Sequence, residues 1–181
     1  MNAKGLRLHV IHAALAALTL LIAHPAIAGG LSGAIFTTDM TASFVNGNVY
    51  DFQEDVYLNG GPRPNAPCTA AGLPDGMYYF QVTDPSGSVL LSADGPSNGE
   101  MTVTGGVITA YAGSHYTNTG KCASTTVRLA PFNATPNPDG VYKVWMTPVS
   151  DYMACGCFLP SRSKTDNFKV VAPQTDVPVT D

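Results

Sequence analysis

The chain has 181 residues, of which 45% are apolar and 12% are charged, and its formal net charge is -4. Nine scattered basic residues exclude the clustered positive charge of a nucleic-acid-binding protein, and ordinary hydrophobicity with scarce charge excludes charge-driven disorder. The heptad pattern of a coiled coil is absent.

The first 28 residues predict a secretory signal peptide. Lys4 and Arg7 form a positive start, residues 10–23 are apolar, and residues 26–28 (Ala-Ile-Ala) give the small-x-small pattern that a signal peptidase cleaves. We expect cleavage and a secreted, extracellular or periplasmic product that leaves the membrane. The mature part has seven basic and thirteen acidic residues, a net charge of -6, and His115 as its only histidine.

Short β-type runs alternate with turn clusters along the mature part. Residues 77–83 form the strongest run, because they are rich in aromatic and β-branched residues and lie between Asp-Gly and Asp-Pro-Ser-Gly turns. We expect little helix. Roughly eight to ten short strands predict an all-β sandwich or a small barrel. The predicted strands are residues 33–37, 48–52, 55–59, 77–83, 88–92, 101–104, 107–111, 125–130, 141–147 and 167–171.

Four cysteines follow the signal peptide, and an even number in an exported protein predicts disulfides. Cys155 and Cys157 are separated only by Gly156, and so small a ring is usually strained. We therefore expect each of them to pair with Cys68 or Cys122, which leaves two connectivities open. A redox or metal role for Cys-Gly-Cys is disfavoured, since no histidine or second cysteine pair lies at ligand spacing.

A family resemblance is carried by residues 72–87, which contain Gly-Leu-Pro-Asp-Gly followed by Met-Tyr-Tyr-Phe, together with residues 56–62 and 163–170. These segments resemble bacterial Cna-B and Sdr-B surface domains and a group of secreted bacterial proteins. The resemblance implies a prealbumin-like, immunoglobulin-like β-sandwich that serves as a stalk or surface module without catalysis. Many Cna-B domains join a first-strand Lys to a last-strand Asn. Asn167 matches the Asn, but residues 29–67 contain no Lys, so we expect no isopeptide bond.

Few residues are suited to catalysis or metal binding. His115 lies in a polar, Gly-flanked stretch without a Gly-x-Ser-x-Gly elbow, so we expect an exposed loop histidine. Asp51, Glu54 and Asp55 form the only acidic cluster and are weak candidates for Ca²⁺, which needs six to eight oxygen ligands. The cluster does not converge on an ideal strand, and the other acidic residues mostly neighbour turn-forming Gly or Pro. We expect neither a catalytic residue nor a metal or other cofactor.

Two aromatic residues are the best candidates for ligand contact. Tyr79 and Trp145 lie on predicted strands, and their exposure together would favour contact with a sugar or a protein. In a sandwich, however, a lone Trp is more often part of the core.

The sequence as a whole predicts a single β-sandwich domain over residues 29–172 and a short flexible tail over residues 173–181. We expect a structural or adhesive module of the cell surface or extracellular matrix, whose partner is a surface protein or a glycan. A carbohydrate-binding module is the alternative. A secreted hydrolase is a third hypothesis, which would need His115 or the acidic cluster to line a pocket.

Overall fold

Ten strands form two sheets in the computed structural model, which describes residues 30–43, 48–62 and 65–171. The predicted signal peptide and C-terminal tail lie outside the described residues. The strands are β1 (Ala34–Thr38), β2 (Val49–Tyr50), β3 (Tyr57–Gly61), β4 (Gly76–Thr83), β5 (Glu100–Thr104), β6 (Val107–Ala112), β7 (Thr117–Thr119), β8 (Thr125–Arg128), β9 (Val141–Pro148) and β10 (Lys164–Val170).

The sheets pack face to face, which confirms the predicted all-β sandwich. The smaller sheet has the strand order β1-β3-β8-β7, and the larger has the order β2-β10-β9-β4-β5-β6. Neighbouring strands are antiparallel, except that β2 runs parallel to β10.

Alternation along the strands fills the core between the sheets. On β4, Tyr78, Phe80 and Val82 are buried, whereas Met77 is exposed and Tyr79 is half-buried on the opposite face. This period of two is what an extended backbone dictates. Strand β9 pairs with β4 along most of its length, and the core is continuous across both sheets.

Three segments differ from the sequence-based prediction. Residues 88–92 form only isolated bridges, because the Ser92 hydroxyl, and not a strand carbonyl, accepts the Val82 N–H at 2.8 Å. The segment after β9 contains a helix, α1 (Val149–Cys155), which the sequence did not predict because seven residues carry too little periodicity. Strand β7 was also missed. No helix within the described ranges is long and apolar enough to cross a membrane.

Neighbouring residues of the last strand face opposite ways. Asn167, the position to which the resemblance assigns a cross-linking Asn, is exposed. Asp166 turns inward instead, and its carboxylate contacts Thr37 on β1. These hydrogen bonds therefore join the first described strand, in the smaller sheet, to the last described strand, in the larger sheet.

Candidate functional site

Trp145 is buried, with 6% of its surface exposed, although it lies on the outer face of the larger sheet. Its indole N–H donates to the Thr83 hydroxyl at 2.9 Å, and the Lys143 ammonium lies 5.3 Å from the ring centroid. The turn after β4 covers the ring, because a Cβ at Gly87 would lie 2.7 Å from it. The only tryptophan of the chain is thus a packing residue.

The covering turn is organised by Asp84. The hydroxyl of Ser86 and then the N–H of Val89, at 2.8 Å, donate to this carboxylate, and these bonds hold the pKa of Asp84 below its usual value. Gly87 has a φ of +83°, which a residue with a side chain adopts only with strain. The Asp-Pro-Ser-Gly sequence therefore forms a turn that covers Trp145.

Tyr79 contributes to a surface around α1. Its ring meets the edge of Tyr152 at a centroid distance of 5.3 Å, and Tyr152 meets Phe158 at the same distance. Apolar side chains flank these rings: Met77 lies two residues before Tyr79 on the same strand face, and Met153 and Leu159 follow the other two aromatics. We call this surface the α1 face, and it comprises Met77, Tyr79, Tyr152, Met153, Phe158 and Leu159.

Three members of the α1 face expose large apolar surfaces. Met153 is 70% exposed, Met77 is 48% exposed and Leu159 is 37% exposed. A 2.8 Å ion pair between Arg162 and Asp151 joins the helix to the loop that precedes β10. Of the two predicted ligand-contact residues, the structure leaves Tyr79 within an accessible apolar surface and places Trp145 under a turn.

The predicted disulfide connectivity is wrong, although all four cysteines are bonded. Cys68 pairs with Cys122, and Cys155 pairs with Cys157. The second bond forms because Cys155 ends α1 and Gly156 adopts a φ of +65°, so the chain reverses and brings the two cysteine Cα atoms to 5.2 Å. A left-handed glycine between the two cysteines is what makes so small a ring possible here.

The expectation that His115 is exposed is also wrong. Only 1% of its side chain is exposed, and its ring packs edge-on against Phe80 and Tyr111. Its Nδ1 lies 2.7 Å from the carbonyl oxygen of Arg128, and its Nε2 lies 2.8 Å from Oδ2 of Asp94. Sequence reasoning explained Asp94 as a turn residue and missed this pair, which is 21 residues apart in the chain.

The contacts of His115 leave its ring no free nitrogen. A carbonyl oxygen only accepts, so Nδ1 donates in its contact with Arg128, and Nε2 is engaged by the Asp94 carboxyl. Asn98 donates to the same Asp94 oxygen and to the hydroxyl of Ser114, the latter at 3.1 Å. Neither ring nitrogen is therefore free to activate a serine. The cluster joins the loop between β4 and β5, the loop between β6 and β7, and the end of β8.

The three acidic candidates are all exposed. Asp51, Glu54 and Asp55 lie at or beside a short 3-10 turn and not on a strand. Among the described residues, no group of three His, Cys, Asp or Glu side chains is arranged to hold a metal ion.

A groove of about 230 Å³ lies between the loop before β9 and the end of β10. Its polar side chains bond the loop itself: Asn137 Oδ1 accepts from the backbone N–H groups of Asp139 and Val141, and the Tyr142 hydroxyl accepts from the N–H of Thr135. The groove therefore offers a ligand few convergent polar groups.

Comparison with known proteins found no match: no family model, no curated protein and no solved structure is similar to this chain.

Proposed function

We propose that this chain is an exported structural or adhesive module of the cell surface or extracellular matrix, which binds another protein and performs no catalysis. The export signal, the resemblance of residues 72–87 to Cna-B and Sdr-B domains, and the cross-linked β-sandwich support this role. Two disulfides are typical of proteins in an oxidising compartment.

The observation that carries the proposal is the α1 face. Exposed methionine and leucine side chains surround half-buried aromatic rings there, and methionine and aromatic residues are enriched in protein–protein interfaces. Met153 and Leu159 are on the short helix and the loop that cover the sheet, where they contribute little to the core. Their exposure is explained by contact with a partner.

The non-catalytic part of the proposal is supported by the state of the polar residues. Both ring nitrogens of His115 are engaged in contacts, and the acidic cluster lies at an exposed turn and lines no pocket that the structure describes. A role as a carbohydrate-binding module is less well supported, because such modules stack sugars on exposed aromatic rings and Trp145 is covered.

Site-specific photo-crosslinking tests the proposal. p-Benzoylphenylalanine is placed at Met153 and, as a matched control, at Thr119, which is exposed on strand β7 of the opposite sheet. In the source organism we expect a defined protein adduct from position 153 that disappears when Leu159→Glu is added, and no such adduct from position 119. Equal adducts at both positions, or none at either, would contradict protein contact through the α1 face.

A glycan array distinguishes the alternative. Binding of a defined glycan by the mature chain, lost in Tyr79→Ala with an unchanged circular dichroism spectrum, would replace the protein-contact proposal with the carbohydrate-binding one.

A further inference from the structure

The two disulfides of the chain have very different relationships to the fold. Cys68 and Cys122 are 54 positions apart and join the loop before β4 to the turn between β7 and β8. Cys155 and Cys157 are two positions apart and join only the last residue of α1 to the loop that follows it. Breaking the first bond restores conformational entropy to a long loop of the unfolded chain, whereas breaking the second restores it to little more than Gly156.

The short disulfide can therefore open while the sandwich stays folded. The sheets, the core and the β9–β10 pairing contain neither of its cysteines. The loop after α1 keeps other ties, since Arg162 pairs with Asp151 and the Ser163 hydroxyl donates to the Leu159 carbonyl at 2.7 Å. A folded chain can thus exist with this bond either closed or open.

The short disulfide lies at the surface of the molecule. Residues 153–156 are all exposed and Cys157 is half-buried. Apolar side chains stand on both sides of the pair, with Met153 two residues before Cys155 and Leu159 two residues after Cys157. Such surroundings favour a protein or peptide as the reaction partner, because an apolar surface can hold a polypeptide while the sulfurs exchange.

We propose that Cys155-Gly156-Cys157 is a thiol–disulfide exchange site whose substrate is a pair of cysteine thiols on another protein. This role goes beyond the proposed contact function and does not depend on it. The chain is consumed as a stoichiometric reactant in the exchange, so the role adds no catalysis to the proposed function. The exchange can take place in any compartment to which both proteins are exported.

The exchange needs no other reactant. A substrate thiolate attacks Sγ of Cys155, the Cys155–Cys157 bond breaks, and its electron pair goes to Sγ of Cys157, which takes up a proton. The second substrate thiolate then attacks the substrate sulfur of this mixed disulfide and releases Cys155, which is protonated in turn. Two electrons and two protons pass to this chain, and the substrate becomes a disulfide; the reverse sequence oxidises the chain.

Cys155 is the sulfur attacked in this scheme for two reasons. It is the more exposed of the pair. It also ends α1, where backbone carbonyls point outward and disfavour a negative charge, so Cys157 is the better leaving thiolate.

A redox titration tests whether the short disulfide opens by itself. The mature chain with both disulfides is equilibrated across glutathione to glutathione disulfide ratios, thiols are trapped with N-ethylmaleimide, and the labelled peptides are counted by mass spectrometry. We expect Cys155 and Cys157 to become labelled at a ratio at least about tenfold less reducing than Cys68 and Cys122, with an unchanged circular dichroism spectrum. Labelling of all four cysteines together, or of this pair only after unfolding, would overturn the proposal.

A second experiment tests exchange with a substrate. A synthetic peptide with two cysteine thiols is incubated with the oxidised chain, and peptide disulfide is measured over time. We expect the wild-type chain to accelerate its formation and the Cys155→Ser/Cys157→Ser variant to lose the effect, while both remain folded. We also expect Cys157→Ser to form a mixed disulfide with glutathione through Cys155. Equal rates with wild type and the double variant would reduce this bond to a structural link and overturn the proposal.

Discussion

Oδ2 of Asp166 accepts two hydrogen bonds from Thr37, one from its backbone N–H at 2.7 Å and one from its hydroxyl at 3.0 Å. The two residues are 129 positions apart and belong to opposite sheets. Burial raises the pKa of Asp166, and the bonds from Thr37 only partly oppose this effect. The contact joins the first and last described strands but leaves the charged carboxylate in an unfavourable place.

Asp166→Asn should stabilise the fold at neutral pH. A raised carboxyl pKa gives stability that is present below the unfolded value of about 3.8 and is lost as the pH rises through the folded value. Asn keeps an oxygen for Thr37 without the charge. We expect the melting temperature of the variant, relative to wild type, to be higher at about pH 7 than at about pH 2.5, as measured by scanning calorimetry.

The exposed neighbour provides the control for this prediction. Asn167→Asp adds a carboxylate on the outer face of the same strand, where no comparable burial occurs. A destabilisation by Asp166→Asn of equal size at both pH values would contradict the argument.

Trp145 fluorescence should report the protonation of Asp84. The lowered pKa of this residue, caused first by the Ser86 hydroxyl, gives stability that is present above about pH 3.8 and is lost as the pH falls through the folded value. Protonation loosens the turn over the indole, so we expect a red shift of the emission below about pH 3.8 while the far-ultraviolet circular dichroism keeps its β-sheet signal.

Asp84→Asn should show part of the same red shift at neutral pH, because one amide oxygen cannot accept all the bonds of the carboxylate. Asp139→Asn, in the Pro-Asp-Gly turn before β9, serves as the control, because Asp139 makes no contact with the turn that covers the indole. Identical spectra of Asp84→Asn and wild type at neutral pH would count against the role of this turn.

His115 and Asp94 should be energetically coupled. His115→Phe leaves the Asp94 carboxylate and the Arg128 carbonyl without their partner, which should cost about 2–3 kcal/mol of unfolding free energy, since Asp94 is partly exposed to water. Asp94→Asn should cost less.

A double-mutant cycle of urea unfolding measures this coupling, and we expect an interaction energy of about 1 kcal/mol. Additive effects of the two substitutions would mean that the contact contributes no net stability.

The two disulfides should differ in their effect on stability. The chain-entropy relation gives about 4 kcal/mol for the Cys68–Cys122 loop and about 1.5 kcal/mol for the Cys155–Cys157 loop. Paired Cys→Ser variants compared by urea unfolding should reproduce this order. A Cys155→Ser/Cys157→Ser variant that loses as much as the Cys68→Ser/Cys122→Ser variant would show that the short bond supports the sandwich.

The local sequence predicted those strands whose formation depends mainly on residues that are neighbours in the chain. Residues 77–83 and 141–147 alternate or concentrate β-forming side chains between turns, and both became central strands. Residues 88–92 are also rich in apolar side chains but do not form a strand, because the Ser92 hydroxyl takes the place of a backbone carbonyl as the acceptor of the Val82 N–H. The sequence did not predict helix α1, because this short helix is stabilised by its packing over β4 and β9 and not by a periodic pattern of its own.

The sequence by itself determined the β-sandwich class, the number of disulfide-forming cysteines and the scarcity of groups for catalysis, because these follow from composition and from period-two patterns. Only the tertiary structure decided that Cys155 bonds Cys157, that His115 meets Asp94 and that Trp145 is covered by a turn. Each of these contacts depends on where a turn places a side chain in space, and a one-dimensional pattern does not contain that distance.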